Sequence, residues 1–357
     1  LKQMGKEGER TIESELGIEL CRRGGINIIV IGTFTKAGEI FATDVKVLDV
    51  DTKELLKSAS SKGRGVESIL EAQIDELSRE IAQGAGLSEG RVKTAPLNVA
   101  SYTTHSLDAY NFFLRGREDY HRFYYQDAIK FLEKSIALDS TFAEAHAFLS
   151  FTLTSLNEGN AADVEIQKAM QYSVLAGERV RLKIEAAYAM RIEKDRAKAI
   201  RLLQEVVSKY PDEKESHMFL GLAYRLDGAP ELDVVEQIKA LELDPGYAAA
   251  LNELGYAYSI LGQYDKALEC FQRQISAHPG DANPMDSMAE LYFKLGNLDE
   301  AIARYREVLD IKPNFFSSYL TLAYTLALRG DLEEALRTVN TFIQSVPSAG
   351  LKAEGHM

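Results

Sequence analysis

Five prolines, Pro211, Pro245, Pro279, Pro313 and Pro347, follow one another at one constant interval. Twenty-four residues before each stands a small residue: Ala187, Gly221, Gly255, Ala289 and Ala323. Twelve before each stand Ala199, Asp233, Ala267, Ala301 and Ala335, with Asp233 the one departure. A period of about 34 residues marks a unit that cannot bury its own apolar face and therefore stacks on copies of itself. Two helices of about four turns take roughly 28 residues, and two short turns take the rest. The small residues let paired helices approach closely, and the proline halts the second helix because it cannot donate to the ladder. Gly262, Gly296 and Gly330 fall between the paired helices, where a left-handed cap belongs.

Toward the N-terminus Gly177 stands in the proline slot, and the period resumes after a shift of three residues. Ser150 and Ala162, then Gly116 and Ala128, occupy the two small positions. The expectation is seven helical hairpins starting near Ala109, Ala143, Val180, Lys214, Ala248, Ala282 and Phe316. The second hairpin is longer, around Val174 to Arg179. The fourth is disturbed at Gly228-Ala229-Pro230 and Asp233, so its second helix is expected to start late or tilt. Ser106 is placed to cap the first helix.

Ahead of the repeats the periodicity changes. Glu9 to Arg23, with Ile12, Leu16, Leu20 and Cys21 near one face, predicts a helix ended by Gly24-Gly25. Ile26 to Phe34, Glu39 to Val50 and Glu54 to Ser60 read as three strands of an antiparallel meander, with Phe41, Thr43, Val45 and Val47 at period two. Lys36-Ala37-Gly38 and Asp51-Thr52-Lys53 are the turns. Ser68 to Ala82, with Ile69, Ile74, Leu77 and Ile81, returns to a helix. Helix, three strands, helix is too little for a complete sheet domain and leaves an edge open. The expected fold class is mainly α: an α-α superhelix of about seven helical hairpins, preceded by a small α/β domain with a three-stranded antiparallel meander. The expected division is 1–90 for the partial α/β domain, 91–105 for a linker, 106–347 for the array and 348–357 for a tail.

Two resemblances attach to these residues. Leu254-Gly255-Tyr256-Ala257-Tyr258 with Leu261-Gly262-Gln263-Tyr264-Asp265-Lys266-Ala267 and Pro279, and Met288-Ala289-Glu290-Leu291-Tyr292 with Leu295-Gly296-Asn297-Leu298-Asp299-Glu300-Ala301 and Pro313, resemble tetratricopeptide repeats. The segments Gly25 to Phe34, Val45 to Asp49 and Thr52 to Leu56 resemble the second half of the N-terminal domain of the TolB family, without its first strand and helix. Ser106 to Tyr110, Leu114 to Arg117, Ala128 to Asp139 and Glu178-Arg179 are similar to the first repeats that follow such domains in C-terminal regions of bacterial serine/threonine kinases. That combination implies a sensor or scaffold region, and it leans the compartment toward the extracytoplasmic side of a bacterial membrane. No kinase signature stands in this sequence, so a catalytic domain would lie outside it. The start at Leu1 is read as that of a fragment or a processed chain.

Chemistry is otherwise scarce. His105, His121, His146, His217, His278 and His356 show no metal-ligand spacing. Gly84-Ala85-Gly86 has Glu89 where a dinucleotide fingerprint needs glycine, with Gly90 one place late. Ser61-Lys62-Gly63-Arg64-Gly65 is too short for a phosphate loop and is expected to join a strand to a helix. Cys21 and Cys270 are expected to be free thiols. No nucleophile has an identifiable base partner, so neither a cofactor nor catalysis is expected. The net charge of -13 provides no basic stripe for nucleic acid. The longest apolar run, Ile26 to Phe34, is about half a bilayer span.

What remains is a surface. Stacked hairpins wind around a groove lined by the first helices. Counting 23 back from each proline marks Tyr188, Leu222, Tyr256, Glu290 and Tyr324 as a groove stripe, with Arg191, Arg225, Asn252 and Phe293 beside it. Tyrosine joins an apolar ring to a polar tip and is a favoured interface anchor. Tyr224, Tyr258 and Tyr292 are expected to pack between hairpins instead. The expected function is a non-enzymatic scaffold holding a protein or peptide partner in this groove. At the C-terminal end Leu336, Val339, Phe342 and Ile343 are expected to be partly exposed, which points to self-association or docking there.

Overall fold

The computed structural model describes residues 14–23, 25–87 and 104–345. The chain divides into two compact units, residues 1–110 and 111–357.

In the first unit, helix α1 (Ser14–Arg23) precedes strands β1 (Ile28–Ala37), β2 (Ile40–Asp49) and β3 (Leu55–Arg64), followed by a π turn (Ile69–Gln73) and helix α2 (Ile74–Gly84). Ile12 and most of the expected linker lie outside the described residues. The sheet is antiparallel in the order β1-β2-β3. The period-two face of β2 is the covered one: Val45 and Val47 are buried with Leu70 and Leu77. Gln73 ties the helical segment to that strand, accepting from Thr43 Oγ1 at 2.9 Å and donating to the Phe41 carbonyl at 3.1 Å. The second turn is held by Asp49, whose Oδ1 accepts from the backbone N–H groups of Asp51 and Thr52 and from Thr52 Oγ1. These hydrogen bonds, led by that from the Thr52 backbone, lower the carboxyl's pKa. Ser61 to Arg64 belongs to β3, so the strand runs four residues beyond its expected end, and Gly65 (φ 80°) makes the bend. Val30 and Phe34 sit opposite Val47 and Thr43 in register yet are exposed.

Among the described residues, 107–345 form seven antiparallel helix pairs: α3 (Leu107–His121) with α4 (Tyr125–Leu138), α5 (Ala143–Ser155) with α6 (Gly159–Tyr172), α7 (Glu178–Tyr188) with α8 (Arg196–Lys209), α9 (Lys214–Leu226) with α10 (Pro230–Leu243), α11 (Ala248–Ile260) with α12 (Tyr264–Ala277), α13 (Asn283–Lys294) with α14 (Leu298–Ile311), and α15 (Phe316–Arg329) with α16 (Leu332–Ser345). Ser106 Oγ accepts from the Ala109 N–H at 3.2 Å at the head of α3. The small-residue rule has a direct cause. A Cβ on Gly255 would lie 2.4 Å from the ring of Phe271 on the paired helix, closer than real side chains approach. Tyr224, Tyr258 and Tyr292 pack half-buried against the core clusters of the hairpins.

Two irregularities have local explanations. The extra residues of the second hairpin form a 3₁₀ turn, Ser173–Leu175, which carries the chain on to α7. The fourth hairpin is regular: α10 opens at Pro230, one full repeat before Tyr264 opens α12, so the expected delay is absent. Proline is well suited to a first helical position because its missing N–H has no intrahelical partner there. Gly228 supplies the left-handed turn at φ 85°. Asp233 is fully buried facing Gly221, accepts from Gln237 Nε2 at 2.8 Å and lies 3.5 Å from the Arg225 guanidinium. Burial pushes its carboxyl up to about 6 against the pull of Arg225.

Two histidines act as ties. His146 and His217 are buried, each with one ring nitrogen on a glutamate of the paired helix (Glu165 at 2.5 Å, Glu236 at 2.7 Å). The other ring nitrogen is on a carbonyl of the preceding turn, Ser140 or Pro211. Cys21 and Cys270 are free, and burial pushes the Cys270 thiol up to about 11.

Candidate peptide-binding groove

The first helices of the second, third and fourth hairpins enclose a cavity of about 430 Å³. Its apolar lining includes Ala147, Phe151, Ile184, Ala187, Met190, Phe219 and Leu222, and Tyr120 of the first hairpin closes one side. Phe151 and Phe219 meet across it with ring centroids 5.8 Å apart, while Tyr120 stands edge-on to Phe148 at 5.5 Å. A few polar groups break the apolar surface, the usual composition of a site that takes a side chain and orients it.

Lys183 supplies the charged end. Its ammonium, 11% exposed, lies 3.0 Å from Glu215, 3.1 Å from Glu213 and 3.8 Å from Glu144. Burial alone would lower the Lys183 pKa, but the three glutamates outweigh it and the net direction is up. Glu215 shows the converse: burial raises its pKa, yet Lys183 and then His121, 3.2 Å away, hold it well below the usual carboxylate range. Burial dominates at Glu144, whose pKa is raised despite Lys183. The cluster is a desolvated network in which each charge depends on the others.

The expected stripe is distributed unevenly over this geometry. Leu222 and Arg191 line the cavity. Arg191 is held by its own hairpins, donating to Thr154 Oγ1 at 2.8 Å and the Gly159 carbonyl at 2.7 Å and pairing with Asp163. Tyr188 packs half-buried against the cluster of Ala147, Ile166 and Ile184. Arg225 is paired with Glu253. Tyr256 donates to Glu290 Oε2 at 2.9 Å and its ring meets Phe271 at 5.9 Å. Phe293 meets Tyr324 with the rings tilted and their centroids 5.8 Å apart, and Tyr324 is 58% exposed. Asn252 is corrected: it is fully buried, with Oδ1 accepting from Ser287 Oγ at 2.8 Å, so no partner can reach it. The count from the prolines passes over Lys183, Phe151, Phe219 and Tyr120. Lys183 and Phe219 stand out only once the groove face of each first helix is known.

Phe342 also departs from expectation. It is fully buried against Phe316 and Tyr319, and Val339 and Ile343 are half-buried. Leu336 is exposed as expected, joined by Tyr324, Leu328 and Leu332.

Antiparallel helix pairs of this length, in register from repeat to repeat and paired through small residues, define a tetratricopeptide array. Models of the tetratricopeptide repeat match residues 188–247, 246–314 and 292–353. No curated protein matches the chain. Among solved structures it is similar to MamA, with 23% identity over 48% of this chain and 97% of that one and a TM-score of 0.39. It is similar also to a tetratricopeptide repeat protein from Parabacteroides merdae, with 15% identity, 70% and 98% coverage and a TM-score of 0.46. A third is a thermophilic tetratricopeptide repeat protein of Thermus thermophilus, with 21% identity, 61% and 99% coverage and a TM-score of 0.38. The repeats are those of a protein-interaction scaffold. No described helix is long and apolar enough to cross a membrane.

Proposed function

We propose that the array holds an extended segment of a protein partner in its groove, with one apolar side chain of that segment seated in the cavity between the second and fourth hairpins. The cavity itself carries this reading: about 430 Å³, apolar-walled, with Lys183 and its glutamates at one end. The walls supply burial and the polar end supplies orientation. Leu222→Trp, which fills the cavity from one wall, tests it. Peptides selected from a random library against the unmodified chain should lose at least about tenfold in affinity, or about 1.4 kcal/mol, with the circular dichroism spectrum unchanged. Unchanged affinity would place the binding surface elsewhere.

The exposed Tyr324, Leu328, Leu332 and Leu336 support self-association through the last hairpin. Ile302, one repeat before Leu336, is 1% exposed because the next hairpin covers it, whereas Leu336 is 65% exposed. A second copy is the occupant that would bury it. Leu336→Lys should shift a concentration-dependent sedimentation coefficient to that of the monomer. A single species of monomer mass from the unmodified chain at high micromolar concentration would end this reading.

A second reading makes the chain the sensing segment of a bacterial signalling enzyme, a serine/threonine kinase, on the extracytoplasmic side. The helix–three strands–helix unit ahead of the array supports it. The sequence encoded upstream of Leu1 decides it.

A further inference from the structure

The last helix of the array, α16, has two apolar faces. Ala335 and Phe342 turn inward and are buried. Leu332, Leu336, Val339 and Ile343 form a second row, at spacings of four, three and four residues. That spacing is the seam along which two α-helices pack side by side. In the preceding hairpin the same positions are Leu298, Ile302, Tyr305 and Leu309, and the next helix covers them: Leu322 and Leu326 of α15 share one core cluster with Ile302 and Tyr305. Among the described residues no helix follows α16, and Leu332 and Leu336 are exposed where Leu298 is half-buried and Ile302 buried.

The other end of the array shows what does not fill this seam. The cover over each second helix comes from one position on the following first helix: Leu149, Ala186, Leu220, Leu254, Met288 and Leu322 in the second to seventh hairpins, all buried. In the first hairpin that position is Arg115, which is exposed, and one turn on, where Leu326 stands in the last hairpin, is Asp119. A terminal hairpin with a polar outer face is finished toward water. Setting it on Leu332 and Leu336 of another copy would bury a guanidinium and a carboxylate against leucine, which is costly. Head-to-tail addition of copies is thereby disfavoured. The surface that matches the seam is the seam itself, apolar along its row and flanked by Glu333, whose side chain is 94% exposed.

We infer that α16 pairs with α16 of a second copy, antiparallel about a two-fold axis, and that the assembly closes at the dimer. This rests on the self-association proposed above and gives it a geometry. With the axis between Leu336 and Val339, Leu336 meets Val339 and Leu332 meets Ile343 across the seam, in both directions. Glu333 then flanks Asn340 of the other copy, whereas a parallel pair would set the two Glu333 carboxylates side by side. A two-fold contact uses the same patch on both copies and leaves none free, so growth stops there. Four side chains from each copy make a small interface, and the dimer is weak and concentration-dependent.

Cross-linking on the full chain reads this geometry, in a Cys21→Ser background that leaves only the buried Cys270. In the antiparallel pair the two copies of position 332 lie about 16 Å apart along the seam, from the helical rise. A bismaleimide shorter than that should join a Leu332→Cys copy to an Ile343→Cys copy, and a Leu336→Cys copy to a Val339→Cys copy, and should leave two Leu332→Cys copies unjoined. The mass of the unmodified chain at sedimentation equilibrium should rise with concentration and level off at twice that of the monomer. Two Leu332→Cys copies joining as readily as the mixed pairs would show a parallel pair and overturn the antiparallel seam. No cross-link in any mixture, with the mass still rising above the monomer's, would overturn this geometry and leave self-association standing. A mass that grows past the dimer would show head-to-tail addition and overturn closure. A monomer at high micromolar concentration would overturn both readings.

Discussion

Lys183→Met should lower the melting temperature of the array by on the order of 10 °C at neutral pH and reverse the direction of its response to acid. The substitution keeps the aliphatic volume and removes the ammonium that Glu144, Glu213 and Glu215 share, leaving Arg179 at 3.5 Å from Glu213 and His121 at 3.2 Å from Glu215. Breaking a buried ion network from one side costs about 3–5 kcal/mol, because the remaining charges keep their desolvation penalty and lose their counter-charge. The pH response follows by linkage. In the parent chain Glu215 is held below its ordinary value, so its stabilising contribution is present above the unfolded carboxylate pKa and is lost as the pH falls through the lower folded value. Without Lys183, burial pushes the Glu215 carboxyl above its unfolded value, as it already does that of Glu144. Their effect is then destabilising at neutral pH and is relieved as the pH falls through those raised values. Thermal melts at pH 7.5 and pH 5 should show the variant gaining stability on acidification. A loss of less than about 2 °C at neutral pH would mean that the cluster is solvated.

Phe271→Ala should destabilise the array by about 3–5 kcal/mol. The ring is 1% exposed, lies in the cluster with Met288 and Leu291, and fills the space left by the missing Cβ of Gly255. Gly255→Ala alone should also destabilise, since its methyl meets that ring. In the Phe271→Ala background the same methyl enters the new cavity. The double-mutant cycle should therefore give a favourable coupling of about 1 kcal/mol or more, read by chemical denaturation. Additive effects would show that the two helices adjust their spacing instead.

Both positions show how much of the molecule is legible beforehand. Gly255 and Phe271 belong to the repeat, and the repeat is written locally: a small residue, a left-handed glycine and a proline, each acting within one hairpin. That is why every hairpin begins within a turn of where the spacing places it, and why period two reveals the strands of the meander. The second helix of the fourth hairpin departs from expectation because Pro230 and Asp233 look like disruptions. Proline at a first helical position fits, and the acid is accommodated by Gly221, Gln237 and Arg225. The groove stripe is less legible. A count from the prolines fixes height along a helix but not how deeply the neighbouring hairpin covers it, so Asn252 is core and the count misses Lys183.

Residues 111–345 thus divide by range of interaction. The sequence alone determined the repeat, its hairpin limits and the pairing of helices, because those depend on backbone conformation and side-chain size within a single repeat. Only the tertiary structure decided the cavity, the Lys183 network and the hydrogen bond from the Tyr124 hydroxyl to Asp281. These depend on the winding of the stacked hairpins, which brings side chains together across separations as large as 185 residues.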